Sequence, residues 1–280
     1  MLAPGRAERP DAFKPATAEP APGAAERCPF CEGREDRTPP EVWADRPAGG
    51  AADTPGWRVR SVPNLYPVLG NGSRGDVREA SKGGTGAGGV PRVTAVQAAP
   101  ETTLSSAADP MADSRRSAEP SLFGAQPAEG SHEVIVHTPR HETSLTGLSE
   151  DELAIAVAGW RERMRAVSGE SSYVHLIVNE GPLAGASLEH THAQLYGMRF
   201  VPAEVARERE RATAYHQRTM GSHLLADVAT EEVRRRDRLV AIDDEAILLC
   251  PWASRAPFEL RIVPRRPAPR VEAEGEGGAV

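Results

Sequence analysis

The run SLEHTHAQLYG, residues 187–197, sets His190, His192 and Gln194 at every second position of an otherwise mostly apolar stretch. Alternate residues of a strand share a face, so the two imidazoles and the amide are expected on one side. A second reactive pair stands in CPFC, as Cys28 and Cys31. One tight turn aims two thiolates so spaced at a single point, which makes half of a zinc site that needs two more ligands from elsewhere. A redox pair or two buried thiols fit the same spacing. His141, just after HTPR, and His190 are candidate partners because both stand at the ends of expected strands.

The elements that must position these groups can be read from periodicity. The alternation from Trp57 to Val62 suggests a strand, and Val134, Ile135 and Val136 suggest another that ends before Pro139. SSYVHLIVNEG reads as a strand, and a loop with Gly181, Pro182 and Gly185 leads from it into the histidine motif. Between these strands lies an amphipathic helix with Ser149 as N-cap, acidic residues in its first turn, and Leu153, Val157, Trp160 and Met164 at helical spacing. Two charged helices separated near Gly221 follow the motif, and then a strand pair within EAILLCPWASRAPFELRIVPRR. Strands and helices alternate without a Gly-rich phosphate loop, and the hairpin-like spacing favours an α+β fold with an antiparallel sheet flanked by helices. Trp160 and Met164 read as core, and His132, His137, His175, His216 and His223 as satisfied polar residues.

Composition bounds the rest. The 280 residues carry a net charge of −7, which argues against nonspecific nucleic-acid binding, because that depends on an excess of cations over phosphates. Residues 70–130 are rich in Gly, Ala, Ser and Pro, with too few large apolar side chains to offset the entropy of ordering, and read as a disordered insertion. It divides residues 1–69 from 131–264, and a disordered tail is expected over 265–280. Only three cysteines occur, no stretch approaches the ~18 apolar residues of a bilayer span, and MLAPGRAERPDAFKP lacks the apolar core of a signal peptide. A soluble cytoplasmic protein without a membrane partner is therefore expected.

Taken in order, CPFCEGREDRTPPE, VPNLYPVL, VHTPRH, NEGPLAGASLEHTHAQL and PWASRAPFEL resemble the galactose-1-phosphate uridylyltransferases, a branch of the histidine triad superfamily. The resemblance covers nearly the whole chain outside 70–130. It implies a histidine-triad-like sheet and a closed structural Zn2+ site made by Cys28, Cys31, His141 and His190. It also implies that His192 is the nucleophile that takes the uridylyl group of UDP-glucose and passes it to galactose 1-phosphate, with Gln194 on a non-bridging phosphate oxygen. Asn179 and Ser187 match phosphate-contacting positions, Asn64 a nucleotide-contacting position, and Arg6 and Arg9 in APGRAERP a paired-arginine motif, although Arg-rich termini are commonly just solvated. A nucleotide sugar and a hexose 1-phosphate are the implied small-molecule partners, and a homodimer the implied assembly.

Three departures from the family pattern stand out. The family continues with a second repeat that supplies much of the hexose pocket. Glu208 matches one ligand of a further metal site whose other ligands lie in that repeat, and reads here as an exposed helix carboxylate. Thr191 replaces the proline common between the two histidines, a change expected to alter backbone stiffness more than chemistry. Related proteins with similar motifs act on ADP-glucose or diadenosine polyphosphates as phosphorylases, which is the alternative activity. A noncatalytic or partner-dependent zinc and nucleotide-binding module is the alternative of another class.

Overall fold

The computed structural model describes residues 23–70, 128–186, 188–266 and 270–273. Arg6, Arg9, Ser187, residues 71–127 of the low-complexity stretch and residues 274–280 of the tail lie outside the described residues. After a single-turn helix α1 (Ala24–Arg27), strands β1 (Trp43–Asp45), β2 (Val59–Pro63), β3 (Gly130–Val136), β4 (Tyr173–Val178) and β5 (His192–Met198) build one sheet. Its order is β1-β2-β3-β5-β4, with every pairing antiparallel. The α+β expectation from hairpin-like spacing is met.

Alternation along the strands sorts side chains between two cores. One face carries Val59, Ile135, Ala193 and Leu195, which pack with Ala156, Trp160 and Val167 of helix α2 (Glu150–Ser168). The other carries Val62, Val134 and Val136, which pack against Cys28 and Phe30 of the cysteine-bearing segment and against Trp57 just before β2. Burial runs unbroken from Val59 to Val62 in the strand that the alternation suggested, because both faces are covered. The Arg60 guanidinium on this strand is only 2% exposed, and its charge is matched by Glu41 at 2.9 Å and Asp53 at 2.5 Å. Strand β3 begins at Gly130, earlier than its Val-Ile-Val run suggests, and a bridge between Gly70 and Glu129 leads into it.

Helix α2 starts where expected. The Ser149 hydroxyl accepts from the Glu152 N–H at 3.2 Å, and the Glu152 carboxylate accepts from the Ser149 N–H at 2.8 Å, a reciprocal cap. Its buried stripe differs from the expected one: Ala156, Gly159 and Val167 are buried, whereas Leu153 and Val157 are 37% and 36% exposed. A Cβ at Gly159 would stand 2.9 Å from Val59 Cγ1. The helix thus lies so close to β2 that small residues make the contact, and the two larger side chains turn toward solvent.

The two charged helices are α3 (Ala203–Arg218) and α4 (Leu224–Arg235), which meet around Gly221. Beyond them β6 (Leu239–Ile242), β7 (Ala246–Leu249) and β8 (Arg261–Pro264) form a second antiparallel sheet. The β7–β8 pair was legible in the sequence and β6 was not. Ala229 of α4, Ile247 and Leu249 form its core, beside a largely apolar cleft of about 690 Å³. The histidine of that cleft, His223, caps α4 by accepting from the Ala226 N–H, so its ring is engaged. Among the described residues no helix is long and apolar enough to cross a membrane.

Candidate active site and metal centre

The turn that carries Cys28 and Cys31 is fixed from several sides. The Glu35 carboxylate accepts from the Gly33 N–H at 3.1 Å and from the Trp57 indole at 2.8 Å, and the Glu32 N–H donates to the Pro139 carbonyl at 3.0 Å. The last contact brings the turn beside the segment after β3 that holds His141. Cys28 Sγ then lies 3.5 Å from His190 Nδ1, Cys31 Sγ 3.4 Å from His141 Nδ1 and 3.7 Å from His190 Nδ1. All four donor atoms fall within 4.8 Å of one another. A tetrahedral zinc with ordinary Zn–S and Zn–N bonds separates its sulfur and nitrogen ligands by roughly 3.5 Å, which the Cys28–His190 and Cys31–His141 pairs match, so the donor set suits such an ion.

The surroundings favour a cation as well. Burial and the neighbouring Cys28 push the Cys31 thiol up to about 11, so two thiolates in this place need a compensating positive charge. Burial pushes His190 down to about 4, which keeps its ring neutral. His190 Nε2 lies 2.9 Å from the Thr138 carbonyl, which can only accept, so the proton sits on Nε2 and Nδ1 turns its lone pair to the cysteines. The Phe30 N–H also donates to Cys28 Sγ, at 3.4 Å. Cys28, Cys31, His141 and His190 could together hold a metal ion.

His190 precedes β5, whose first residue is His192, so the two rings are set by a bend followed by a strand. They nevertheless lie on one side, both edge-on to Phe30, with centroids 6.2 Å and 5.3 Å away. His192 Nδ1 stands 2.7 Å from the His190 carbonyl oxygen. The carbonyl accepts, so Nδ1 carries the proton and Nε2 keeps a lone pair. Burial lowers the His192 pKa, against the opposing pull of that hydrogen bond. A neutral, oriented, nucleophilic imidazole nitrogen results, two residues from a candidate metal ligand.

Gln194 follows on the same face, its Oε1 2.8 Å from the Tyr196 hydroxyl and 3.1 Å from His132 Nε2. Asn64, just past β2, reaches the same ring, with Nδ2 3.1 Å from His132 Nε2. Asn179 follows Val178, which pairs with Ala193, so the next position along lies beside His192. The structure thus brings Asn64, Asn179, His192 and Gln194 to one region of the sheet.

Two histidines read from the sequence as satisfied polar residues are integral to this region. His132 pairs in register with Tyr196 and is 7% exposed. Its position alternates with Val134 and Val136, which was the available signal for its face. His137 is fully buried, and burial pushes its pKa down to about 3. His137 Nδ1 lies 3.0 Å from Thr191 Oγ1, which in turn donates to Glu180 at 3.1 Å. The Thr191 N–H donates to the Glu142 carbonyl at 2.7 Å, a bond that proline could not make. Thr191 therefore does more than alter stiffness: it links β3, the 142 turn and the loop after β4 behind the two histidines.

Comparison with known proteins shows what this chain is similar to. The model of the galactose-1-phosphate uridyl transferase N-terminal domain matches residues 96–202, beginning inside the stretch that composition marks as low-complexity. The galactose-1-phosphate uridylyltransferase of Cryptococcus neoformans is 31% identical over 164 residues, which are 56% of this chain and 43% of that protein. The ADP-glucose phosphorylase of Arabidopsis thaliana is 25% identical over 270 residues, 95% of this chain and 62% of that one. This chain thus spans less than two thirds of either relative. Among solved structures, the Arabidopsis thaliana ADP-glucose phosphorylase with bound ADP-glucose shares the fold at a TM-score of 0.60 and 22% identity, covering 95% of this chain and 64% of its own. A uridylyltransferase structure aligns at a TM-score of 0.56 and 25% identity, over 85% of this chain and 59% of its own. In motif order and in sequence over part of its length the chain is similar to the galactose-1-phosphate uridylyltransferase family, and its sheet shares the fold of these solved structures.

Proposed function

We propose that the chain is a nucleotidyltransferase that moves the uridylyl group of UDP-glucose to galactose 1-phosphate by two displacements through His192. The observation that carries this reading is the 2.7 Å contact of His192 Nδ1 with the His190 carbonyl. It leaves the Nε2 lone pair to attack the α-phosphorus while the carbonyl supports the positive charge that grows on the ring. The N–P bond forms as the bond from the α-phosphorus to the bridging oxygen breaks, and glucose 1-phosphate leaves with that electron pair. A phosphate oxygen of galactose 1-phosphate then attacks the same phosphorus, and His192 returns to its neutral form.

Gln194 donates to a non-bridging oxygen as charge accumulates there. Asn64, Asn179 and Ser187 contact the nucleotide and its phosphates, joined by Arg6 and Arg9, whose guanidinium forks suit phosphate oxygens. Cys28, Cys31, His141 and His190 would hold Zn2+ as a structural cross-link, since the site offers four protein ligands. Such a cross-link would fix the His190 backbone, whose carbonyl orients His192.

A second reading keeps this chemistry and changes the base and the acceptor: adenylyl transfer from ADP-glucose to inorganic phosphate. The 95% coverage of this chain by the Arabidopsis thaliana ADP-glucose phosphorylase match favours it. Intact-mass measurement after mixing the protein with UDP-glucose or with ADP-glucose decides between them. One uridylyl group from the first donor supports the uridylyltransferase reading, and one adenylyl group from the second supports the phosphorylase reading. Nucleotide and zinc binding with no covalent adduct from either donor would overturn both and leave a binding module.

A further inference from the structure

The hydrogen bonds around His132 are over-determined, and the way they resolve gives the ring a task. Two backbone N–H groups, which cannot act as acceptors, fix the pattern. The Val68 N–H points at His132 Nδ1 from 3.3 Å, so Nδ1 is the acceptor and the proton sits on Nε2. Burial lowers the His132 pKa, which keeps the ring neutral. Nε2–H then donates to Gln194 Oε1 at 3.1 Å, the same oxygen that accepts from the Tyr196 hydroxyl at 2.8 Å. The His132 and Tyr196 rings stack at 4.2 Å between centroids, so the two donors arrive together from one side.

The second fixed group is the Tyr66 N–H, which donates to Asn64 Oδ1 at 2.8 Å. This turns Asn64 Nδ2 toward His132 Nε2, at 3.1 Å. Both atoms are donors in the tautomer that Val68 enforces, so among the described residues the Asn64 NH2 has no acceptor of its own. Gln194 is in the same condition: its oxygen is doubly occupied, and among the described residues its NH2 has no partner. Two amide nitrogens thus flank one imidazole N–H on the face where His192 presents Nε2, and an incoming phosphate oxygen is the acceptor both lack.

We propose that His132 is a positioning residue for nucleotidyl transfer: with Tyr196 it holds the oxygen of Gln194, so that the Gln194 NH2 is turned outward before the donor's phosphate arrives. This rests on the reading of His192 as the nucleophile. A freely turning amide would present its oxygen to the phosphate part of the time, a repulsive contact. The preset orientation removes that reorganisation from the transition state.

A double-mutant cycle read by single-turnover transfer to His192, run with UDP-glucose and ADP-glucose in parallel, tests it. His132→Phe keeps a ring for stacking on Tyr196 and removes both nitrogens. A fall of roughly 5- to 10-fold in the transfer rate is expected, the scale of one lost hydrogen bond, with the donor concentration for half-maximal rate little changed. In a Gln194→Ala background the same substitution should change the rate less than about twofold. An equal loss in both backgrounds would overturn the proposal, since His132 would then act without Gln194.

Should His132→Phe fail to fold, Tyr196→Phe removes a single oxygen and runs the same cycle with the same criterion. Failure of the wild-type protein to transfer from either donor would count against His192 as nucleophile, not against the positioning role. The positioning role is then decided by NMR: the Gln194 side-chain amide resonances, assigned by their loss in Gln194→Ala, must shift in His132→Phe, and unchanged resonances overturn it.

Discussion

Replacing His137 with Phe isolates the cost of burying a titratable ring behind the site. His137 is fully buried, with Nδ1 on the Thr191 hydroxyl, no partner for Nε2 among the described residues, and the Trp160 ring 5.2 Å away. Burial carries its pKa from 6.5 in the unfolded chain to about 3 in the folded one. Above pH 6.5 both states are neutral and the group imposes no pH dependence. As pH falls below 6.5 the unfolded state binds a proton that the folded state refuses, so stability is lost at ~1.4 kcal/mol per pH unit until the folded group itself titrates.

Between pH 7 and pH 5 the loss comes to roughly 2 kcal/mol. A metal ion at the neighbouring cysteines leaves this figure unchanged, because it lowers a folded pKa that is already far below the range. Phe keeps the contact with Trp160 and loses the bond to Thr191, which shifts stability by an amount independent of pH. Urea unfolding of wild type and His137→Phe at several pH values from 7 to 5 should therefore give curves of stability that converge by about 2 kcal/mol on acidification. Curves that stay parallel would refute the assignment of a neutral buried imidazole at this position.

Thr191→Val keeps the shape of the side chain and strands His137 Nδ1–H and one bond of Glu180; a stability loss of about 1–3 kcal/mol in urea is expected. Cys31→Ser should reduce bound zinc well below one per chain and lower the thermal midpoint, read by elemental analysis and calorimetry on the same sample. Gly159→Val places atoms against Val59, where even a Cβ would stand 2.9 Å from Cγ1. Overpacking there should cost about 1–3 kcal/mol, and an unchanged urea midpoint would show that the helix can lift from the sheet.

Groups whose relation is local were legible before any coordinates. Two cysteines in one turn and two histidines two residues apart have their relative directions set by backbone geometry, whereas the joining of Cys28 and Cys31 with His141 and His190 is a long-range contact that only the family resemblance implied. The Ser149 cap was equally local. His132 was not, because its partners come from two places: Asn64 and Val68 after β2, Gln194 and Tyr196 on β5. Only the position of β3 between β2 and β5 brings them together, and spacing within one strand does not encode strand order. Thr191 was undervalued for the same reason, since Glu142, Glu180 and His137 all reach it from other segments. The stripe of α2 was half right: Trp160 and Met164 pack against the core as expected, but hydrophobicity also favours Leu153 and Val157, whereas the closeness of β2 selects Ala156 and Gly159.

The nucleophile itself can be located directly. Protein trapped after one turnover with UDP-glucose or ADP-glucose, digested under conditions that preserve phosphoramidates, should yield one modified peptide with the nucleotidyl group on Nε2 of His192, and His192→Gly should yield none. A modification at any other residue, or exchange of labelled glucose 1-phosphate into the donor by His192→Gly at the wild-type rate, would contradict covalent transfer through this histidine.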